Sequence, residues 1–297
     1  MTQAPPLRQQ VIWLTGASSG IGEALADELA PRCQALIISA RSEDKLRPLA
    51  DRHSNVTVIT ADITDEESLR GAASAIEKKY GQLDTLIANA GTCEYVDVTD
   101  FDTALFRRVF ETNMMGLVNT TAAALPLLQK SQRGYLVGVG SSVSMLAMPR
   151  AQAYGASKAA VAHFLESMKA DLKAMDIDVS LVSPGFVKTP LTDANDFPMP
   201  MQVTVEQAVE APVDPFAEMT ARYEAFVGPV ILNAWREAVG EPVVDAEHYT
   251  QLEKAFFADE SVDKTLSELV KSPDPDIRER AQGWIMLRGH DGMHESE

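Results

Sequence analysis

The sequence predicts an α/β fold: a doubly wound parallel sheet followed by a mainly helical C-terminal extension. Three observations carry this expectation. Six short apolar runs recur through the first two-thirds of the chain without polar alternation, as parallel strands covered on both faces require. Stretches of helical length and amphipathic character separate them, and repeated strand–helix alternation winds a parallel sheet. A glycine-rich turn, Thr15 to Gly22, stands between the first apolar run and the first helical stretch. There, glycine allows a tight backbone and a helix N-terminus attracts anions.

In chain order, the strand candidates are Val11 to Leu14, Ala35 to Ile38, Val56 to Ile59, Leu83 to Ala88, Tyr135 to Val139 and Val179 to Val182. Helices are expected near 20–30, 43–52, 65–79, 101–129 and 154–175. Thr64 precedes Asp65-Glu66-Glu67, an order suited to a helix cap with acids in the first turn. Past residue 190 the pattern breaks. Prolines 198, 200, 212, 215, 229 and 242 punctuate a mainly helical stretch, and Pro229 to Leu232 is its one strand-like run, a candidate for completing the sheet. Two further helices are expected at Ser261 to Lys271 and Asp276 to Leu287. The expected division is a catalytic domain over 1–202 and an acidic helical segment over 203–297, packed on that domain or separate from it.

Composition narrows the class. The 297 residues are 45% hydrophobic and 23% charged, ordinary for a soluble globular protein. No apolar run reaches membrane-spanning length, and the first ten residues hold no apolar signal core. Two cysteines, Cys33 and Cys93, are too few for a disulfide framework. The expected location is the cytoplasm, without a membrane partner or a metal site. The net charge of −17 argues against nucleic acid as a partner. It is unevenly placed: residues 1–190 hold 18 Lys+Arg and 21 Asp+Glu, residues 191–297 hold 8 and 22. That asymmetry reads first as a solvated acidic surface and second as a separate module.

The chemistry concentrates in Tyr154-Gly155-Ala156-Ser157-Lys158, with Ser141 thirteen residues upstream at a strand end. Residues four apart share a helix face, so a helix here sets the Tyr154 phenol beside the Lys158 ammonium. A neighbouring cation lowers a phenol pKa from about 10, and reaching 7 takes about 4 kcal/mol. A phenol so tuned exchanges a proton with an alcohol or carbonyl, and a serine hydroxyl can hold the reacting oxygen.

With these motifs in place the chain resembles the short-chain dehydrogenase/reductase family over roughly residues 10–190. The glycine turn is Thr15 to Gly22; Asn89-Ala90-Gly91 follows the fourth strand; Asn113-Met114-Met115-Gly116 lies in the long helix. Ser141 precedes Tyr154 and Lys158, and Pro184-Gly185 follows the sixth strand, ahead of Val187 and Thr189. Counting back thirteen from Tyr154, the family's spacing, selects Ser141 over Ser142.

The resemblance implies a Rossmann-like fold and an oxidoreductase exchanging hydride between a nicotinamide and a carbonyl or secondary alcohol. Tyr154 is then the general acid or base, Lys158 lowers its pKa and binds the nicotinamide ribose, Ser141 orients the substrate, and Asn113 holds a water leading from Lys158 to solvent. Gly16, Ser18, Ser19, Gly20, Ile21 and Gly22 take the diphosphate. Asp62 contacts adenine; Asn89, Ala90, Gly91, Pro184, Gly185, Val187 and Thr189 line the rest of the cofactor. Ala40 stands where NAD-preferring members carry Asp, with Arg41 beside it, so NADP(H) is expected over NAD(H), because a guanidinium matches a phosphate. Phe197, Met199 and Met201 are lid candidates, and Cys93, Met145, Leu146 and Met148 pocket-wall candidates, for a moderately apolar small-molecule carbonyl or alcohol substrate. A homodimer or homotetramer built on the long helices is implied by analogy. The alternative is a cofactor-sensing or scaffold protein that binds a partner through its C-terminal segment. The complete Ser141–Tyr154–Lys158 set favours the enzyme.

Overall fold

The computed structural model describes residues 5–145, 147–193, 195, 199, 202–210 and 271. Leu146, Phe197, Met201, Pro229 to Leu232 and, apart from Lys271, the expected helices at 261–271 and 276–287 lie outside the described residues. The chain divides into two units at Pro212 and Val213, and the first contains the whole described sheet.

Six strands, β1 (Val11–Thr15), β2 (Ala35–Ser39), β3 (Val56–Val58), β4 (Thr85–Ala88), β5 (Gly134–Val139) and β6 (Ile177–Val182), form one sheet in the order β3-β2-β1-β4-β5-β6. Every pairing is parallel. Helices α1 (Gly20–Leu29), α2 (Glu43–Arg52), α3 (Glu66–Tyr80), α4 (Thr103–Phe110), α5 (Gly116–Leu128), α6 (Gln152–Leu172) and α7 (Val205–Glu210) make the connections and flank the sheet.

The unalternating apolar runs are explained by two cores. Val11 and Trp13 face a cluster that holds Leu69 and Ile76 of α3, Leu117 and Ala124 of α5, and Val161 and Leu165 of α6. Ile12 and Leu14 face the opposite cluster with Ala26 of α1 and Leu46 and Leu49 of α2. Trp13 is fully buried and its indole N–H donates to the Ser39 hydroxyl at 2.9 Å, the polar outlet a buried indole needs.

Two local expectations differ from the structure. The cap of α3 is Asp65, which accepts from the Glu67 and Ser68 amides, while Thr64 donates to Asp62 instead. Asp65 stands at the position directly before the helix, where its carboxylate reaches two of the unsatisfied amides of the first turn. The expected helix over 101–129 is three pieces: α4, a π-helical turn at Glu111–Met115, and α5. Strand order reverses at β1, which has β2 on one side and β4 on the other. Such a switch point opens a crevice at the strands' carboxyl ends, and the turns after β1 and β4 meet there.

Candidate active site

A cleft of about 870 Å³ occupies that crevice, within the range of small-molecule and cofactor sites. It takes in Gly16, Ser18, Ser19, Gly20, Ile21 and Gly22 after β1, Arg41 after β2, Asp62 after β3, and Asn89, Ala90 and Gly91 after β4. Ser141, Tyr154 and Lys158 line its inner end, with Pro184, Gly185, Val187 and Thr189 beyond β6. Of the expected catalytic and cofactor residues only Asn113 lies outside its lining; the pocket-wall candidates Cys93, Met145 and Met148 and the lid candidate Met199 lie outside it as well.

The first turn is built for close approach. Gly16 has φ +70°, and a Cβ there would sit 2.7 Å from the Ala90 Cα, so only glycine fits. Ser19 caps α1 without using its side chain, which leaves the first helical amides facing the cleft. Asn89 has a bracing role: its amide donates to the carbonyls of Thr15 and Gly16 at 3.1 and 3.2 Å.

At the inner end Ser141 follows β5 and its hydroxyl hydrogen-bonds the Tyr154 phenol. Ser142 begins a short 3-10 turn and its amide donates to the Pro184 carbonyl at 3.0 Å. Tyr154 and Lys158 both lie on α6, with the Lys158 Nζ 6.0 Å from the Tyr154 ring centroid and donating to the Val139 carbonyl at 2.7 Å. Burial pushes the Tyr154 phenol up to about 12, against the hydrogen bond from Ser141, which pulls it down. Burial also depresses the Lys158 ammonium to about 8. The expected lowering of Tyr154 by Lys158 is therefore not what this arrangement produces: the ammonium turns to a backbone carbonyl, and desolvation outweighs its charge.

Asn113 sits in the π-helical turn, buried, with every polar atom engaged. Its Oδ1 accepts from the Thr92 amide at 2.7 Å; its Nδ2 donates to the Thr92 carbonyl and the Ser157 hydroxyl, both at 2.9 Å. The side chain is a clamp between the loop after β4 and α6, which leaves only the backbone of Asn113 for the expected water.

A family model described as short chain dehydrogenase matches residues 10–198. The chain belongs to the short-chain dehydrogenase family. It is similar, at 35% identity over 201 residues, to an uncharacterized oxidoreductase of Myxococcus xanthus, covering 66% of this chain and 79% of that one. It is 37% identical over 189 residues to 11-beta-hydroxysteroid dehydrogenase A of Sesamum indicum, covering 62% of this chain and 54% of that protein; the match thus spans about half the sesame protein. Among solved structures, an alcohol dehydrogenase from the archaeon Thermococcus sibiricus complexed with 5-hydroxy-NADP superposes with a TM-score of 0.62 at 25% identity, over 69% of this chain and 92% of that one. This short-chain dehydrogenase is an NAD(P)-dependent oxidoreductase acting on CH–OH or C=O groups.

The residues present fit such a cofactor. The outer end of the cleft gathers Arg41, Ser42 and Lys45, a donor set with two cations and a hydroxyl. Asp62 lies nearby: burial raises its carboxyl, but hydrogen bonds from Thr64 and the charge of Arg41 outweigh that and hold it below the usual range. Its Oδ1 is already engaged by the Thr64 amide and hydroxyl at 3.0 and 2.8 Å. Sequence reasoning missed Ser42 and Lys45. The signal was present, since Lys45 falls in the first turn of a helix beginning two residues after Arg41.

Proposed function

We propose that this short-chain dehydrogenase is an NADP(H)-dependent carbonyl reductase or secondary-alcohol dehydrogenase in which Tyr154 is the proton donor and acceptor. The observation that carries the reading is the Tyr154 phenol, hydrogen-bonded to Ser141 at the inner end of a cleft whose outer end presents Arg41, Ser42 and Lys45. When bound, the cofactor supplies or accepts the hydride at the substrate carbon.

The protein's residues do the rest. Arg41 and Lys45 bind a ribose phosphate, and the amides at the start of α1 take the diphosphate. Ser141 holds the carbonyl oxygen. As that oxygen gains negative charge, the Tyr154 hydroxyl gives it a proton and the alcohol forms. Burial keeps Tyr154 protonated at neutral pH, the form in which it can give a proton to a carbonyl oxygen. Lys158, fixed by the Val139 carbonyl, supplies positive charge beside the phenolate that remains. NADP(H) over NAD(H) is supported by the two cations and by the NADP-type ligand of the Thermococcus sibiricus structure. Assembly as a homodimer or homotetramer belongs to the same proposal and is read by light scattering.

The test is turnover of aldehydes, ketones and quinones with NADPH. Tyr154→Phe is expected to abolish turnover, by at least about 100-fold, with NADPH affinity unchanged. Full activity in Tyr154→Phe overturns the proton route.

A further inference from the structure

The turn after β6 carries a hydroxyl that the sequence motifs leave unassigned. Thr189, Pro190, Leu191 and Thr192 all line the cleft. Proline at the second position suits a tight turn, and the Thr192 amide donates to the Thr189 carbonyl at 2.9 Å. The Asp193 amide reaches the same carbonyl, also at 2.9 Å, so two amides satisfy it. Thr189 itself is buried against the phosphate turn: a Cβ at Gly20, the first residue of α1, would lie 3.1 Å from its methyl carbon. Its side chain therefore stands beside the amides that face an anion at the start of α1.

Thr192 sets the other end of that side chain. Its hydroxyl donates to the Val187 carbonyl at 2.7 Å and accepts from the Thr189 amide at 2.9 Å. A hydroxyl has one proton, and the Thr189 carbonyl, 3.0 Å away and already paired, is the poorer acceptor for it. With that proton committed to Val187, Thr192 meets the Thr189 hydroxyl only as an acceptor, at 3.3 Å, which is long for such a bond. The Thr192 amide points at the same Thr189 oxygen, at 3.4 Å. The Thr189 hydroxyl thus faces a donor on one side and a distant acceptor on the other, an arrangement that leaves its proton available to a ligand in the cleft.

We propose that Thr192 is a positioning residue of the cofactor site: its hydroxyl ties the Thr189 amide to the Val187 carbonyl, so that the Thr189 hydroxyl donates to the diphosphate of the bound dinucleotide. The inference rests on the reading of the cleft as an NADP(H) site. Thr192→Val keeps the shape of the side chain but strands the Thr189 amide and the Val187 carbonyl, a loss that buried polar groups do not tolerate cheaply. The turn then no longer holds the Thr189 hydroxyl against α1.

NADPH affinity is read by fluorescence titration of the wild-type protein, Thr192→Val, Thr192→Ser, Thr189→Val and the double variant Thr189→Val/Thr192→Val. Thr192→Val and Thr189→Val are each expected to weaken binding by about fivefold or more. Thr192→Ser, which keeps the hydroxyl, is expected to stay within about twofold of wild type. Because Thr192 acts through Thr189, adding Thr192→Val to Thr189→Val is expected to cost less than about a further twofold. Thr192→Ala takes the same place in the cycle if Thr192→Val does not fold. Wild-type affinity in Thr192→Val or in Thr189→Val, equal losses in Thr192→Ser and Thr192→Val, or losses that multiply in the double variant overturn the positioning role. Failure of the wild-type protein to bind NADPH instead overturns the cofactor reading, and this inference with it.

Discussion

Replacing Lys158 by Met is expected to make the protein more stable at neutral pH while removing its activity. Lys158 is 5% exposed, and burial alone accounts for its depression from 10.5 to about 8. That gap corresponds to a penalty of roughly 3 kcal/mol on the folded, charged form. Methionine removes the charge but strands the Val139 carbonyl, which now accepts from Nζ at 2.7 Å; that loss is about 1 kcal/mol. A net gain of about 1–2 kcal/mol at pH 7 follows. The sign depends on pH. Below about 8 the lysine is charged in both folded and unfolded chains and the penalty is complete. Between about 8 and 10.5 the folded lysine is neutral while the unfolded one still binds a proton, so wild-type stability rises with pH. The advantage of Met is therefore largest below pH 8 and shrinks toward 10.5. Urea unfolding of the cofactor-free proteins, followed by circular dichroism from pH 7 to 10, reads it directly. A Met variant less stable than wild type at pH 7, or a difference that does not change with pH, refutes the reasoning.

Asn113→Ala removes three hydrogen bonds at a buried junction and is expected to lower stability by about 2–3 kcal/mol, a melting-point drop of about 4–10 °C; a shift under about 1 °C by thermal scan contradicts the clamp. Arg41→Ala combined with Lys45→Ala is expected to weaken NADPH binding at least about tenfold with NADH binding unchanged, measured by fluorescence titration, and equal loss for both would show that these cations do not read the 2′-phosphate. Gly16→Ala forces a side chain onto the Ala90 backbone at φ +70° and is expected to cost about 2 kcal/mol or more and abolish NADPH binding; a variant that binds NADPH normally would show the turn to be adaptable.

Most of the sheet was legible because its strands are covered on both faces and carry unbroken apolar runs. Boundaries moved by only a residue or two, as when Leu83 to Ala88 became Thr85–Ala88. There the run continues past the strand because Leu83 and Asp84 are buried at its approach, with Asp84 accepting from the Val11 amide. Motif spacing located the cleft residues, since each motif closes a strand and all parallel strands end on the same edge. What the sequence could not show is orientation. Nothing in YxxxK tells whether the ammonium meets the phenol or a backbone carbonyl, and that choice decides whether burial or charge sets the Tyr154 pKa.

The long helix shows why one motif carries two jobs. Helical periodicity runs through 101–129, yet the chain inserts a π-helical turn at Glu111–Met115, and such turns concentrate at functional sites. Asn113 in that turn presents one acceptor and two donor protons to three matching groups: the Thr92 amide, the Thr92 carbonyl and the Ser157 hydroxyl. Aspartate would lack the donors, and glutamine would overreach by a methylene. Three residues on, a Cβ at Gly116 would lie 2.5 Å from the Ile63 side chain, so glycine is what lets the helix press against the loop after β3. Ser157 passes the connection on, its hydroxyl donating to the Tyr154 carbonyl at 2.7 Å. The cleft wall at Gly91–Thr92 and the backbone that carries the Tyr154 phenol are thereby joined through a single buried amide. From that wall to the Tyr154 backbone the connection runs through three successive contacts, Thr92 to Asn113, Asn113 to Ser157 and Ser157 to the Tyr154 carbonyl, so a substitution at Asn113 breaks it in the middle.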